Sequence, residues 1–336
     1  MSSHATALPA AVTAAYISAI GPASRIHVGK LPMPTIGSGE VLIRAQAIAV
    51  NHVDTYVRSG SYPTPLTFPF VIGRDVVGTV AAVGAGTSGF AEGDTVWCNS
   101  LGHGGRQGPS ATYSAIAAER LYHLPDGVDP VAAAAVLHTG ATAYLGLFRE
   151  ADLHIGETVV VGGGAGGVGS AVVQLASAGG ARVLATARPE DAQWCRANGA
   201  DEVFDYKAPD LTERIRDAAP EGVDLFWDTS GHHDLERAVP LLAHRGRMII
   251  MAGLTAHPPL PVGALYTRDA SLRGFVISNA SASDLADTAV ALNFLFVRGT
   301  LRAREVQTLP LSHAAQAHMM LEEKRATGRI VLLPED

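Results

Sequence analysis

The sequence predicts an α/β fold made of two regions with different residue patterns. The chain has 336 residues, enough for about two domains at roughly 150 residues each. From Gly39 to about Leu124, short β-forming runs are separated by glycine and proline, which is typical of a β-rich unit. From about Asp129 onward, strand and helix patterns alternate, which predicts right-handed crossovers and a parallel sheet.

The β-rich region is predicted from its apolar runs. Strands are expected at Val12–Ile20, Val41–Val50, Val76–Val83 and Thr95–Cys98. The stretch 99–112 is dense in glycine and serine and has no apolar periodicity. Because long segments without periodicity are usually functional or mobile, we expect a flexible surface loop there.

The alternating region is predicted from short runs that are apolar on both faces, as covered parallel strands should be. Its expected strands are Glu157–Gly162, Arg182–Ala187, Glu202–Tyr206, Val223–Asp228, Arg247–Ala252, Ser271–Ser278, Thr308–Leu311 and Arg329–Leu333. Its expected helices are Pro130–His138, Ser170–Ala178, Glu190–Asn198, Leu211–Ala219, Asp234–Ala243, Asp284–Val297 and Ala314–Arg325. We therefore predict domains at residues 1–134 and 135–275, with residues 276–336 returning to the first domain.

Composition excludes several classes of protein. Hydrophobic residues make up 47% of the chain and charged residues 17%, which excludes a disordered chain. The net charge is −7, so a nucleic-acid partner is not expected. No apolar stretch approaches the ~20 residues that span a bilayer, and two cysteines cannot form a disulfide framework. We expect a cytoplasmic protein without a membrane segment.

A glycine-rich loop is the strongest chemical signal in the sequence. The apolar run Val159–Val161 leads into GGGAGGVG at 162–169, and a helix is predicted to follow. A pyrophosphate can approach backbone N–H groups at a helix N-terminus only where side chains are absent. This G-x-G-x-x-G pattern between strand and helix predicts a dinucleotide site. The expected contacts are Gly163, Gly164, Gly166, Gly167, Val168 and Gly169.

The end of the second strand of this region favours NADPH over NADH. NAD sites usually carry an acid about 20 residues after the loop, whereas this sequence has Arg188 there. A guanidinium suits a 2′-phosphate, and Tyr206 at the end of the third strand is expected to face the same corner. Glu190 and Asp191 are expected to lie on the outside of a helix first turn. The alternative for Arg188 is an ordinary solvated charge.

One run of residues resembles a known family. The segment Asn51–Gly60, NHVDTYVRSG, is similar to the N-V-D-T-Y-x-R-S-G run of zeta-crystallin-like quinone oxidoreductases, a zinc-free branch of the medium-chain dehydrogenase/reductase superfamily. The likeness continues at Gly73–Gly78, Glu92–Val96, Thr142–Tyr144 and Gly199–Asp201. It implies a GroES-like β-rich catalytic domain, a Rossmann cofactor domain, a cofactor cleft between them and a homodimer.

The resemblance also bears on zinc. In the zinc-using relatives, a cysteine stands where this chain has Asn51 and a histidine where it has Arg74, and the third ligand position falls on His138. Asparagine is a poor zinc ligand and arginine is none. We therefore expect no zinc.

The resemblance implies that the catalytic candidates Asn51 and Tyr56 sit beside the nicotinamide and the substrate. Tyr56 either donates a hydrogen bond to the developing oxyanion or packs as a wall. Asp54 is either an acid or the partner of Arg58, which lies four residues later. Weaker cofactor contacts are expected from Thr142, Thr229 and Gly253.

The expected reaction is hydride transfer from NADPH to a quinone, which needs alignment of two molecules more than acid–base help. A reductase of activated C=C bonds in enals, enones or a thioester uses the same cofactor site and stays open. A non-catalytic, crystallin-like NADPH-binding protein is the alternative from another class.

Overall fold

The computed structural model describes residues 8–335. Its strands are β1 Ala11–Ile17, β2 His27–Pro32, β3 Glu40–Val50, β4 Phe70–Val71, β5 Asp75–Val83, β6 Thr95–Cys98, β7 Tyr113–Ala117, β8 Tyr122–His123, β9 Thr158–Gly162, β10 Arg182–Ala187, β11 Glu202–Asp205, β12 Val223–Asp228, β13 Leu242–Ile250, β14 Ser271–Gly274, β15 Val306–Pro310 and β16 Arg329–Leu333.

Helices lie between these strands. They are α1 His52–Ser59, α2 Pro130–Ala134, α3 Leu137–Tyr144, α4 Gly167–Ala178, α5 Ala192–Ala197, α6 Leu211–Ala218, α7 Leu235–Ala238, α8 Val262–Tyr266, α9 Ala282–Val297 and α10 Ala314–Glu322. A π-helical turn, Leu145–Glu150, continues α3. Short 3₁₀ turns occupy Ala23–Arg25, Ala118–Arg120, Pro189–Asp191, Val239–Leu241, Ile277–Asn279 and Leu311–His313.

The chain divides into two compact units. The first unit runs up to His138 and resumes at Glu305, and the second unit is Thr139–Arg304. The return to the first unit therefore begins later than the predicted residue 276, because α9 belongs to the second unit. The start of the predicted first domain, residues 1–7, lies outside the described residues.

The first unit is built on β-strands, as its sequence pattern predicts. One sheet has the order β15-β16-β3-β5-β6-β8, with β7 also paired to β3, and a smaller antiparallel sheet has the order β2-β1-β4. The long strand β3 lies at the centre and pairs with β5, β7 and β16. Its carboxyl end leads directly into α1, so the NHVDTYVRSG segment begins at a fixed point of the sheet.

The second unit is a parallel sheet of order β11-β10-β9-β12-β13-β14. Numbered along the chain, this is the 3-2-1-4-5-6 order of a doubly wound dinucleotide-binding fold. The predicted Rossmann architecture is confirmed. The glycine loop follows β9, the strand at which the order reverses, and ligands bind at such a switch point.

Two local predictions were wrong. A helix was expected over Asp234–Ala243, but α7 ends at Ala238, a 3₁₀ turn follows and β13 begins at Leu242. Pro240 explains this, because it has no N–H group to continue the α-helical hydrogen bonds, and the chain passes into the 3₁₀ turn Val239–Leu241. The expected surface loop over 99–112 was wrong for the two ends of this segment, which are buried, whereas Gly104, Gly105 and Gln107 at its tip are exposed. A Cβ at Gly102 would lie 2.2 Å from the Gly73 carbonyl oxygen, and one at Gly108 would lie 2.2 Å from that of Ile72.

Within residues 8–335, no helix is long and apolar enough to cross a membrane.

Candidate active site

The loop between β9 and α4 has glycines at positions where a side chain would be strained or would clash. Gly163 has a φ of +75°, a backbone conformation that side-chain-bearing residues rarely adopt. Gly164 packs on β10, where a Cβ would lie 2.9 Å from that of Ala185, and a Cβ on Gly169 would lie 2.1 Å from the Gly163 carbonyl oxygen. The protein's own structure therefore requires glycine at these three positions, by backbone conformation at Gly163 and by packing at Gly164 and Gly169.

Gly166 is different, because little in the protein itself requires it to be glycine. Its backbone is extended, with a φ of −72°, and a Cβ would meet only the Gly163 carbonyl oxygen, at 3.2 Å. It caps α4 at the N-terminus, and no side chain caps the first-turn N–H groups of that helix. Gly166 and Gly167 are both exposed. This is a surface where an anion can approach bare backbone N–H groups, as a pyrophosphate requires.

The polar groups around the loop hold its shape. Thr229, which follows β12, donates its hydroxyl to the Gly162 carbonyl at 2.7 Å, and Gly163 N–H donates to the Thr186 hydroxyl at 3.1 Å. Gly253 follows β13 with a φ of +67°. Thr229 and Gly253 therefore lie at the carboxyl edge of the sheet, as predicted, whereas Thr142 is buried within α3.

Arg188 and Tyr206 follow neighbouring strands at the same edge. Ala187 pairs with Asp205, and Tyr206 N–H donates to the Ala187 carbonyl at 3.3 Å. Arg188 is 56% exposed, and its Nε donates to Asp191 at 2.9 Å. The prediction that Asp191 lies on the outside was wrong, since the residue is buried. Its two guanidinium partners, Arg188 and Arg304, explain why the carboxylate turns inward.

In the first unit, Tyr56 lies on α1 and is 38% exposed. The helix begins at Asn51, whose N–H donates to the Asp54 carboxylate at 2.8 Å. Asp54 therefore closes the first turn of α1. The predicted Asp54–Arg58 ion pair was wrong, because Arg58 instead binds Glu322 and the Gly21 carbonyl.

Asn51 is also the centre of a buried polar cluster. Its amide nitrogen donates to Asp75 at 2.9 Å, and its amide oxygen accepts from Arg329. Asp75 lies 3.9 Å from the His138 Nδ1 atom. We call Asn51, Asp54, Arg74, Asp75, His138 and Arg329 the polar cluster. Because both ends of the Asn51 amide are engaged, this side chain is fixed in orientation.

Burial dominates the electrostatics of the polar cluster. Burial and then the charge of Asp54 raise the pKa of Asp75 to about 8, against the Asn51 hydrogen bond and the charges of Arg329 and Arg74. Burial likewise raises the pKa of Asp54 to about 6. Burial, together with the Arg74 and Arg329 charges, holds the pKa of His138 well below its usual range. The histidine is therefore neutral at physiological pH.

The polar cluster does not fit zinc. Asn51 is occupied by Asp75 and Arg329, and Arg74 brings a positive charge to a position where zinc-using relatives have a ligand. In the described part of the chain, no three His, Cys, Asp or Glu side chains gather in a way that could hold a metal ion.

Sequence reasoning missed three members of these sites. Asp75 and Arg329 precede apolar strand runs, and a charged residue at the start of a buried strand was the available signal. Arg304 meets Asp191 across 113 residues, and nothing in the sequence spacing indicates this contact.

Comparisons with known proteins agree with this architecture. Residues 37–126 match the family described as "Alcohol dehydrogenase GroES-like domain", and residues 167–293 match the one described as "Zinc-binding dehydrogenase". The chain is 34% identical over 308 residues to the quinone oxidoreductase of Sus scrofa, covering 90% of this chain and 91% of that protein. It is 32% identical over 306 residues to that of Homo sapiens, covering 90% and 92%.

Solved structures agree as well. A mycobacterial quinone oxidoreductase superposes with a TM-score of 0.84 at 31% identity, covering 96% of this chain and 100% of that one. A mycobacterial protein in complex with NADPH has a TM-score of 0.82 at 31% identity, with the same coverage. A protein titled an NAD-dependent alcohol dehydrogenase has a TM-score of 0.86 at 33% identity, covering 96% and 99%.

The predicted GroES-like and Rossmann parts are confirmed by these matches, as is the resemblance carried by the NHVDTYVRSG run. The likeness to quinone oxidoreductases extends over most of the chain and most of each relative. The chain belongs to the zeta-crystallin-like quinone oxidoreductases of the medium-chain dehydrogenase/reductase superfamily and is an NAD(P)H oxidoreductase.

Proposed function

We propose that this chain is an NADPH-dependent, zinc-independent reductase of quinones. The observation that carries the proposal is Gly166, an exposed glycine at a helix N-terminus without a side-chain cap, where a Cβ would meet one backbone oxygen at 3.2 Å and otherwise open space. Space kept free of side chains beside bare N–H groups suits a dinucleotide pyrophosphate. The expected contacts Gly163, Gly164, Gly167, Val168 and Gly169 surround it.

The choice of NADPH is supported by Arg188 and Tyr206 at the carboxyl edge beside the loop. The guanidinium is exposed at a point where NAD-binding relatives of this fold carry an acid. The related mycobacterial protein was solved with NADPH, whereas another relative is named for NAD. Arg188 is the residue that favours the phosphorylated cofactor in this chain.

When bound, a nicotinamide cofactor supplies the hydride, so the protein's task is to place and shield the acceptor. Tyr56 on α1 is partly exposed, and its hydroxyl donates a hydrogen bond to the acceptor oxygen as charge develops there. Asn51 and the polar cluster fix the start of that helix. Asn51 is held by Asp75 and Arg329, which supports a reaction in which no step depends on a metal.

The test is a steady-state panel with NADPH as donor and three acceptors: 1,4-benzoquinone, 9,10-phenanthrenequinone and a 2-alkenal. We expect turnover with the quinones, unchanged after dialysis against a chelator, and no stoichiometric zinc by elemental analysis. Turnover of the alkenal alone would replace the proposal with reduction of activated alkenes. Binding of NADPH without turnover of any acceptor would indicate the crystallin-like alternative.

We further propose that the enzyme is a cytoplasmic homodimer. In the second unit, β14 ends the order of the parallel sheet, and α9 exposes Val290, Phe294 and Val297 at helical spacing. Exposed apolar side chains of this kind mark association surfaces. Light scattering should give twice the chain mass of 34.9 kDa, and a monomer would contradict the proposal.

A further inference from the structure

Asp191 brings two arginines together beside the end of β10. One carboxylate oxygen accepts from Arg188 Nε at 2.9 Å, and the other accepts from a terminal nitrogen of Arg304. Asp191 is buried, whereas Arg188 and Arg304 are 56% and 38% exposed. The acid is therefore the inner anchor of two guanidinium groups that reach the surface side by side.

Arg304 is brought there by a fixed piece of backbone. The Gln174 side chain on α4 donates to the Arg302 carbonyl at 3.1 Å and accepts from its N–H at 2.9 Å. The Arg302 guanidinium lies over the Trp194 ring, 5.5 Å from its centroid, and donates to Asn198 at 3.0 Å. Arg304 lies two residues after Arg302, so the contacts of Arg302 with α4 and α5 also restrict the position of the Arg304 backbone.

The contact geometry leaves Arg188 able to bind a second anion. Its ion-pair contacts in the described chain, with Asp191 and Glu190, both go through Nε. A guanidinium held at Nε keeps its two terminal nitrogens for another acceptor. Burial opposes ionisation of Asp191, but hydrogen bonds from Arg304 and Arg188 outweigh it and lower its pKa. The carboxylate therefore stays charged and holds both arginines at neutral pH.

We propose that Arg304 is a second specificity residue for the 2′-phosphate of NADPH, and that Asp191 is a positioning residue that presents Arg188 and Arg304 to it together. This rests on the proposed NADPH preference. It assigns a function to an acid that would otherwise repel a phosphate. Two guanidiniums held in place before binding lose less side-chain freedom when the phosphate arrives.

The test measures binding without turnover, by calorimetric titration of the whole chain with 2′,5′-ADP and with 5′-AMP. Arg304→Ala should weaken 2′,5′-ADP binding by about 10-fold, the scale of one charged hydrogen bond, and leave 5′-AMP binding unchanged. Arg304→Lys keeps the charge and should recover part of the loss. Arg196→Ala, an exposed arginine on α5, is the matched control and should change neither affinity.

Asp191→Asn distinguishes two effects of this acid: it positions Arg188 and Arg304, or its charge repels the 2′-phosphate. As a positioning residue, its loss weakens 2′,5′-ADP binding about threefold or more although a negative charge is removed, and Asp191→Glu restores part of it. Tighter binding in Asp191→Asn, or an unchanged preference in Arg304→Ala at wild-type melting temperature, overturns the inference. Equal binding of the two probes by the wild type instead contradicts the NADPH preference of the proposed function.

Discussion

The glycine loop and the polar cluster are built in opposite ways: the loop lacks side chains, whereas the cluster consists of interacting side chains. The loop keeps side chains away from a helix N-terminus, so its backbone N–H groups stay accessible. The cluster gathers six polar side chains in the first unit, of which Asn51, Asp54, Arg74 and Asp75 are buried and His138 and Arg329 are half-buried. The glycine loop can be recognised from a short stretch of sequence, because its residues are consecutive. The polar cluster depends on the topology of the whole unit, because its residues are far apart along the chain.

The largest expected effect lies in the polar cluster. Arg329→Met should lower the free energy of unfolding by roughly 3–5 kcal/mol, because it removes one of the two guanidinium groups, Arg74 being the other, that face the buried carboxyl groups Asp54 and Asp75. Urea unfolding measures this. Arg325→Met is the control, since its exposed pair with Glu323 contributes at most about 1 kcal/mol. If Arg329→Met and Arg325→Met lowered the free energy of unfolding equally, Arg329 would not stabilise the buried carboxyl groups of the polar cluster.

Gly166→Val tests the loop. The side chain fills the space at the helix N-terminus, and NADPH affinity should fall by about 100-fold or more while the melting temperature stays near that of the wild type. Gly169→Val should lower both, because its Cβ would clash with the Gly163 carbonyl. Fluorescence titration and calorimetry separate the two outcomes. Undiminished binding by Gly166→Val would remove the loop from the cofactor site.

Tyr56→Phe tests whether the Tyr56 hydroxyl takes part in the reaction. Loss of one donor to a developing oxyanion should lower kcat by about 10-fold, with a smaller change in KM for the quinone. Tyr16→Phe, on β1, is the matched control and should leave kcat unchanged. An unaltered kcat in Tyr56→Phe would make the ring a packing surface.

The last expected effect is a pH dependence of stability. The pKa of Asp75 is raised to about 8 in the folded state, against an ordinary value near 4. The folded state therefore retains a proton that the unfolded state releases, and stability is lost as pH rises through this window. The charged and titratable groups that face it in the described residues are Asp54, Arg74, Cys98, His138 and Arg329.

Asp75→Asn mimics the protonated carboxyl group at every pH. Its melting temperature should exceed that of the wild type by a larger margin at pH 8.5 than at pH 5.5, because the wild type loses stability progressively from about pH 4 to about pH 8. Differential scanning calorimetry at the two pH values measures this. Asp126→Asn, at an exposed position, should follow the wild type throughout. A constant difference between Asp75→Asn and the wild type would show that Asp75 does not titrate in this range.

The sequence was most informative where structure is local. The parallel order of the second unit follows from alternating strands and helices, and the loop follows from glycine spacing between β9 and α4. The polar cluster could not be predicted, because Asn51, Asp75 and Arg329 meet only through the pairing of β3 with β5 and β16. The inward turn of Asp191 depends on Arg304, and a lone acid in a first turn gives no sign of a distant partner.

The most direct test of the account is a titration of chelator-treated wild-type protein with NADPH and NADH, followed by protein fluorescence. We predict saturable NADPH binding in the micromolar range, tighter than NADH by at least about 10-fold, the value of one charged phosphate contact. Failure of both nucleotides to bind at millimolar concentration, or binding that returns only when zinc is added, would contradict it.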